Sequence, residues 1–172
     1  PIKQQYIVLH IESFSNKKYR QIYGVDWEKI INVLTEKGFT VLQIGIEKEA
    51  LKGAVSIKTT VRELITLIYH SSYFVGIDSG PSHIAASLGV PSLLLFGAID
   101  PRLRHFPDLF DGILLKQFCE KECTNHDVAN TEEHQCSALN RYGQPRCCIF
   151  STEKVILELN NLLKKHAGKT YQ

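Results

Sequence analysis

The chain has 172 residues, of which 44% are hydrophobic and 22% charged, and this composition is typical of one soluble domain with its own core. A formal net charge of +2 is too small to indicate a nucleic-acid-binding protein by itself. No apolar run reaches the ~20 residues of a transmembrane helix, and no signal peptide is visible. Because the chain begins at Pro1 and contains no methionine, we expect it to be part of a longer protein.

Short apolar runs, most of them continuous, alternate with helical segments along the chain. The helices include one capped by Asp26 and stopped by Gly38, one opened by the capping box of Thr60 and Glu63, and a short one closed by Gly89. The strands are expected at 6–11, 40–44, 54–57, 74–77, 92–96 and 112–115, and the helix that Gly89 closes at 84–88. Continuous apolar strands alternating with helices predict a Rossmann-like α/β fold, with about six parallel strands and helices on both faces.

The alternation stops between residues 117 and 150, where the chain is polar and carries all five cysteines. We expect a single domain over residues 1–172, with 117–150 as a cysteine-rich insertion and 151–166 as a closing amphipathic helix. The cysteines form two groups, which resembles a four-thiolate site for structural zinc or iron. Disulfides and free thiols remain alternatives, and His126 and His134 are possible substitute ligands. The expected ligands are Cys119, Cys123, Cys136 and Cys147, the last next to Cys148.

The turn at residues 78–83 follows the fourth predicted strand and leads into a helix. Gly80 would let an anion approach the backbone, and Pro81 suits the first helical position because it lacks an N–H group. We expect the N–H groups of Ser82 and His83 to point out of the helix end, where the helix dipole favours an anion such as a phosphate. The alternative is an ordinary βα turn that Asp78 caps locally. The predicted diphosphate site comprises Asp78, Ser79, Gly80, Pro81, Ser82 and His83.

The sequence from Asp78 to Pro91, Asp-Ser-Gly-Pro-Ser-His-Ile-Ala-Ala-Ser-Leu-Gly-Val-Pro, resembles the signature of glycosyltransferase family 9, the ADP-heptose:lipopolysaccharide heptosyltransferases. The family usually has Met where this chain has Ser82. The strand that ends at Gly97 and the run Asp100-Pro101-Arg102 continue the likeness, which covers about residues 5–105 and the final helix. The loop after the first strand differs, because it is poor in glycine and contains Glu12, whose charge would repel a phosphate.

The resemblance implies the C-terminal half of a GT-B fold, the half that binds a nucleotide-diphospho-sugar donor, with an ADP-sugar as the family's donor. An N-terminal domain outside this chain would bind the saccharide or lipid-linked acceptor and supply the catalytic base. The implied reaction is an inverting sugar transfer to an acceptor hydroxyl in lipopolysaccharide biosynthesis. The implied location is the cytoplasm, including the periphery of the inner face of a bacterial membrane.

The same resemblance assigns roles to residues outside the turn. Lys18, or Lys17, would stabilise the departing diphosphate as a point charge. Ser13 would add a hydroxyl contact, and Gly97 lies at the donor edge of the sheet. Glu47, or the similarly placed Glu49, follows the second strand, where Rossmann-like domains often bind a ribose hydroxyl.

A different class of function also fits the sequence. A glycosyltransferase-like domain could act without catalysis, as a module for nucleotide-sugar binding or for assembly, with the cysteine-rich insertion as its interaction surface. The altered first loop favours this alternative, and titration with nucleotides separates the hypotheses that involve nucleotide binding from the one that involves assembly alone.

Overall fold

Six parallel strands form one sheet, which confirms the predicted fold class. The computed structural model describes residues 5–14, 17–45, 49–105, 110–119 and 136–167, with Lys17 described by its backbone alone. The strands are β1 Tyr6–His10, β2 Thr40–Ile44, β3 Val55–Ile57, β4 Tyr73–Ile77, β5 Ser92–Phe96 and β6 Gly112–Lys116. Each lies within one or two residues of its predicted bounds.

The strand order is β3-β2-β1-β4-β5-β6, so the direction in which the sheet grows reverses between β1 and β4. At such a reversal, the connections that leave the two central strands turn to opposite faces of the sheet. They leave a crevice at the carboxyl ends of β1 and β4, which is the usual ligand site of open α/β sheets. The predicted turn at residues 78–83 follows β4 and therefore lies at this crevice.

Helices cover both faces of the sheet, and two of them use the predicted caps. Asp26 Oδ1 accepts a hydrogen bond from the Lys29 N–H at 3.0 Å, and Thr60 and Glu63 form the reciprocal capping box. One helix starts four residues before its predicted position, because Gly80 and Pro81 already belong to its first turn. The helices are α1 Lys17–Arg20, α2 Trp27–Glu36, α3 Val61–Tyr69, α4 Gly80–Ser87 and α5 Thr152–Lys165, with 3-10 turns at Pro101–Leu103 and Arg146–Cys148.

The core has one layer on each face of the sheet. Alternate strand residues point to opposite faces, so Ile7 and Leu9 pack on the side of α2 and α5, whereas Val8 packs with α3 and α4. Because both faces are covered, the central strands are apolar without interruption. Trp27 is buried in the first layer, where it packs among core residues.

The last part of the predicted insertion is attached to the sheet domain by backbone hydrogen bonds. The Tyr23 N–H donates to the Cys148 carbonyl at 2.8 Å, and the Phe150 N–H donates to the Tyr23 carbonyl at 2.9 Å. Residues 120–135 lie outside the described part of the chain, so an independently folded insertion stays a prediction. Among the described residues, no helix has both the length and the apolar character needed to cross a bilayer.

Candidate functional site

A pocket of about 540 Å³ opens at the carboxyl edge of the sheet, beside the crevice between β1 and β4. Its polar end is formed by the start of α4 and by Arg20. Its opposite end has an apolar wall made by Ile57, Val61 and Leu64, which come from β3 and α3. Lys58 and Thr59, from the connection between these two elements, also line this end. The residues that follow β1 and β2, including Ser13, lie between the two ends. A ligand with an anionic end and a flat apolar end therefore fits the chemistry of this pocket.

The start of α4 is held by reciprocal hydrogen bonds between two serines. Ser82 Oγ accepts from the Ser79 N–H at 3.2 Å and donates to the Ser79 carbonyl at 2.7 Å. The N–H groups of Ser82 and His83 donate to the same Ser79 carbonyl, at 3.1 and 3.4 Å. These two amides are therefore engaged within the helix start, whereas the sequence argument expected them to point out of it.

Gly80 is the place where the backbone of α4 is open to the pocket. It is exposed, it lines the pocket with Pro81, and a Cβ added to it would meet no heavy atom within 4 Å. An anion can thus approach the first turn of α4, where the helix dipole is positive. The Ser82 and His83 amides already have acceptors, so the groups that this end of the pocket offers to an anion are the open backbone at Gly80 and the side chain of Arg20.

His10 lies at the end of β1 and lines the same pocket. Its Nδ1 is 2.9 Å from Ser79 Oγ, and that hydroxyl donates to the Ile77 carbonyl at 3.0 Å. The Ser79 hydroxyl has one proton, which it donates to Ile77, so it can only accept from His10 Nδ1. We therefore assign the Nδ1–H tautomer to His10, which leaves Nε2 as an acceptor. Burial lowers the pKa of His10 to about 4, so the imidazole is neutral near pH 7.

Asp78 is buried at the end of β4, between the side chains of Arg20 and His83. Arg20 Nε lies 3.3 Å from Asp78 Oδ2, and His83 Nε2 lies 3.6 Å from Asp78 Oδ1. Burial raises the pKa of Asp78, but the His83 imidazole and the Arg20 guanidinium outweigh that effect and lower it overall. The negative charge of Asp78 therefore holds the side chains of Arg20 and His83 at the end of β4. A role for Asp78 beside a bound phosphate stays a prediction.

A pair of stacked imidazoles lies next to this carboxylate. The rings of His83 and His105 are 4.7 Å apart and nearly parallel. Burial and the neighbouring His83 lower the pKa of His105. The contact with Asp78 thus places the predicted site residue His83 at the polar end of the site.

The predicted lysines are not the cations that line the pocket. Lys18 is exposed, with Nζ 5.7 Å from the centroid of the Tyr19 ring, and Arg20 from the same helix lines the pocket instead. Lys17 begins α1, and its side chain lies outside the described part of the structure. The diphosphate contacts of both lysines stay predictions.

Two other predicted site residues are not among the described residues that line the pocket. Gly97 is buried, and a Cβ there would lie 2.7 Å from Cys148 Sγ and even closer to the Tyr19 carbonyl oxygen. Close packing explains this glycine, while a ligand contact stays a prediction. Glu47 falls outside the described residues, and Glu49 is exposed on the loop that follows.

The cysteines of the described chain are not disulfide-bonded. The Sγ atoms of Cys147 and Cys148 are 4.0 Å apart, and this contact lowers the pKa of Cys147 while it raises that of Cys148. Among the described residues, no group of three or more His, Cys, Asp or Glu side chains could hold a metal ion. Cys123 lies outside the described ranges, so the predicted four-cysteine set with Cys119 and Cys136 stays a prediction.

The sequence argument did not assign a role to Arg20 or to the apolar wall. The cluster of basic residues at 17–20 was the available signal for Arg20, although it did not distinguish one cation from another. The apolar wall forms because the strand order brings residues of β3 and α3 together at the pocket. Their spacing along the chain carries no signal of this meeting.

The sheet order, the crevice and the open helix start define a Rossmann-like domain of the kind that binds nucleotides at its carboxyl edge. The chain belongs to glycosyltransferase family 9 (heptosyltransferase), whose family profile matches residues 2–129. The resemblance of the turn at 78–83 to that family is thereby confirmed.

Relatives of known function match part of the chain. Lipopolysaccharide heptosyltransferase 3 of Escherichia coli K12 is 30% identical over 115 residues, which cover 58% of this chain and 33% of that protein. The autotransporter heptosyltransferase Aah of Escherichia coli is 27% identical over 111 residues, covering 58% and 28%. The matches thus span about a third of the length of these relatives.

Solved structures with the same fold cover nearly all of this chain. An iron-containing dodecameric heptosyltransferase, TibC from enterotoxigenic Escherichia coli, superposes with a TM-score of 0.73 at 20% identity, over 99% of this chain and 49% of TibC. The ADP-heptose lipopolysaccharide heptosyltransferase II of Escherichia coli gives a TM-score of 0.68 at 17% identity, over 95% and 48%. At these identities the likeness establishes the fold, and this chain corresponds to about half of each neighbour.

Proposed function

We propose that this domain binds the nucleotide-diphospho-sugar donor of a glycosyltransferase that transfers a heptose-like sugar to an acceptor hydroxyl. The observation that carries the proposal is the pocket itself, with a positive helix start and Arg20 at one end and an apolar wall at the other. A nucleoside diphosphate has the same two chemical ends. TibC is a family neighbour solved with ADP-D-beta-D-heptose, which supports an ADP-sugar as the donor.

In this proposal the diphosphate lies at the start of α4. Gly80 leaves its backbone open to a phosphate oxygen, and the helix dipole stabilises the negative charge. Arg20 donates from its guanidinium to a second phosphate oxygen, while Asp78 fixes the position of the side chain. Lys18, or Lys17, and Ser13 would add contacts from the loop and helix that follow β1.

The reaction would be a direct displacement with inversion at the anomeric carbon. The acceptor oxygen forms a bond to that carbon, the bond from the carbon to the phosphate oxygen breaks, and the nucleoside diphosphate departs. A base on an N-terminal acceptor-binding domain, which this chain does not include, takes the proton of the acceptor hydroxyl. The present domain lowers the barrier because Gly80 and Arg20 stabilise the charge that develops on the leaving diphosphate. The proposed place of reaction is the cytoplasmic face of a bacterial membrane.

Calorimetric titration of this chain with ADP and AMP tests the proposal. We expect ADP to bind more tightly than AMP, because the second phosphate adds charge-assisted hydrogen bonds. Arg20→Gln should weaken ADP binding about tenfold, since a hydrogen bond to a charged group contributes about 1.5–3 kcal/mol. Gly80→Val should weaken it too by covering the open backbone, and its Cβ would meet no heavy atom within 4 Å.

The control is Arg141→Gln, which removes an equal charge from an exposed side chain stacked over the Tyr142 ring. ADP binding should survive this change. If neither ADP, UDP, GDP nor CDP binds to the unaltered chain, the transferase proposal is wrong and the non-catalytic assembly module becomes the better account.

We also propose that Cys119, Cys123, Cys136 and Cys147 hold a structural zinc or iron ion. Thiolates are soft ligands that suit both metals, and a bound metal would order a polar segment with little core of its own. The iron-containing neighbour TibC, whose superposition spans 99% of this chain, supports iron. Such a site would stabilise the segment at 117–150 without taking part in the transfer.

A further inference from the structure

Arg104 and His105 lie beyond the start of α4, on the side away from the pocket. They follow the 3-10 turn Pro101–Leu103, which comes after β5. β5 pairs with β4 on the side opposite to β1, whereas the pocket is lined by residues at the ends of β1, β2 and β3. Among the described residues, neither Arg104 nor His105 lines that pocket. The two side chains therefore belong to a second region of the same sheet edge.

Each of these two side chains buries a nitrogen atom. His105 is only 5% exposed, and its ring contacts the rings of Phe96, Phe110 and His83. Within the described ranges, Arg104 Nε and His105 Nε2 have no hydrogen-bond partner. Buried polar groups of native proteins are nearly always hydrogen-bonded. Two such nitrogens on consecutive residues therefore indicate a place where a bound ligand accepts the hydrogen bonds.

The charge of this region favours an anion. Burial raises the pKa of Asp78, and three basic side chains outweigh this effect and lower that pKa overall: His83, Arg20 and Arg104. The direct contacts of Asp78 are with Arg20 and His83, at 3.3 and 3.6 Å. Arg104 acts on this carboxylate from a greater distance, so Asp78 does not neutralise it through a direct ion pair. An anionic group of a ligand could form such a pair with Arg104.

The orientation of the proposed donor would bring an acceptor to this region. In the proposed complex the nucleoside lies in the pocket, over the ends of β1, β2 and β3, and the diphosphate lies at the start of α4. The sugar is attached to the other end of the diphosphate, so it would extend towards β5. An acceptor hydroxyl that displaces the diphosphate with inversion approaches the anomeric carbon from the opposite side. The acceptor would therefore lie beyond the sugar, near Arg104 and His105.

We propose that Arg104 and His105 bind an anionic group of the acceptor saccharide, either a phosphate or a carboxylate. This inference rests on the proposed function, because the orientation of the donor determines where the acceptor lies. The planar guanidinium of Arg104 donates to two oxygens of the anion at once. His105 donates a further hydrogen bond in its Nε2–H tautomer. Burial and the neighbouring His83 lower the pKa of His105, so Arg104 supplies the positive charge near pH 7.

Calorimetric titrations of the ADP-saturated chain with glucose 6-phosphate, glucuronate and glucose test this role. The bound ADP occupies the start of α4, so the added sugars report on a different site. We expect at least one of the two anionic sugars to bind and glucose not to bind, and the better ligand distinguishes phosphate from carboxylate. Arg104→Gln should weaken this binding at least about tenfold, because a hydrogen bond between charged groups is lost. Arg104→Lys keeps the charge and should retain most of the affinity.

Arg102→Gln is the matched control, because it removes the same charge from the neighbouring turn. The Arg102 side chain is 80% exposed and pairs with Asp100, so this variant should bind the anionic sugar as the unaltered chain does. The inference is overturned if neither anionic sugar binds, if glucose binds equally well, or if Arg104→Gln binds as tightly as Arg102→Gln. It is also overturned if Arg104→Gln weakens ADP binding as much as Arg20→Gln does, since Arg104 would then belong to the donor site. Failure of ADP to bind the unaltered chain would instead remove the proposed function itself.

Discussion

His10 and Asp78 show how burial and neighbouring charges act on single side chains at the pocket. Burial lowers the pKa of His10 to about 4, and positive neighbours lower the pKa of Asp78 although burial opposes them. Both groups therefore release their protons more readily in the folded chain than in the unfolded chain. Near pH 7, His10 is therefore a neutral imidazole that can accept a hydrogen bond, and Asp78 is a carboxylate that pairs with Arg20.

The shift of His10 makes the stability of the domain depend on pH. An unfolded histidine titrates near 6.5, so the unfolded chain gains a proton between pH 6.5 and about 4 that the folded chain does not. The contribution of His10 to the free energy of unfolding is then fully present above pH 6.5. It is lost as the pH falls towards 4, and this loss is about 3 kcal/mol. Urea unfolding at about pH 7 and about pH 4.5 measures this loss.

The variant His10→Asn isolates the contribution of His10, because its amide N–H can replace Nδ1–H and does not titrate. Its loss of stability on acidification should be smaller than that of the unaltered chain. His70→Asn, at an exposed position after α3, is the control and should keep the full loss. Equal losses of stability on acidification in the unaltered chain and in His10→Asn would contradict the contribution assigned to His10.

At the scale of elements, α1 is attached to the end of β5 and to the 3-10 turn at Arg146–Cys148. The Ala98 N–H donates to the Tyr19 carbonyl at 3.0 Å, and Cys148 Sγ approaches the same carbonyl at 3.4 Å. Gly97 makes this three-way contact possible, because any side chain would enter the space that Tyr19 and Cys148 occupy. The same attachment places α1, and with it Arg20, at the pocket.

We expect Gly97→Ala to destabilise the domain by about 1–3 kcal/mol, the usual effect of an added methyl group in a packed interior. Urea unfolding measures the change. Gly80→Ala is the matched control, since its Cβ would meet nothing within 4 Å and its φ is not positive. The packing role of Gly97 is wrong if the two variants are equally stable.

At the scale of the whole molecule, one sheet with two helical layers carries a pocket along one edge. The described end of the segment at 117–150 is held to this body through Tyr23 and Cys148. A metal bound by the cysteines would therefore stabilise a segment that also contacts α1. The chain spans about half of its structural neighbours, so the proposed transfer would also need the acceptor-binding domain of the proposal.

Metal analysis of the purified chain tests the proposed cysteine site. We expect about one zinc or iron ion per chain and a lower melting temperature after the metal is removed, because metal binding is coupled to folding. Cys119→Ser should lose the metal, whereas Cys148→Ala, outside the four predicted ligands, should keep it. Less than about half a metal ion per chain, with thiols that titrate fully, would contradict the site.

Local sequence patterns were sufficient to predict most of the fold. Continuous apolar runs indicated six strands covered on both faces, since a strand without polar alternation has no face left for water. Asp26 and the pair of Thr60 and Glu63 marked helix starts through hydrogen bonds that span three residues. The turn at 78–83 also carried the family signature, because its chemistry is contained in one short stretch.

Contacts between distant segments required the tertiary structure. The choice of Arg20 over Lys18 depends on which side of a one-turn helix faces the crevice, and Gly97 anchors that helix. The Glu12 carboxylate packs against Gly45 because β2, which Gly45 follows, pairs with β1. The sequence alone thus determined the class of domain and the location of the turn at 78–83. Strand order decided which side chains share the pocket, because it sets neighbours that chain spacing does not encode.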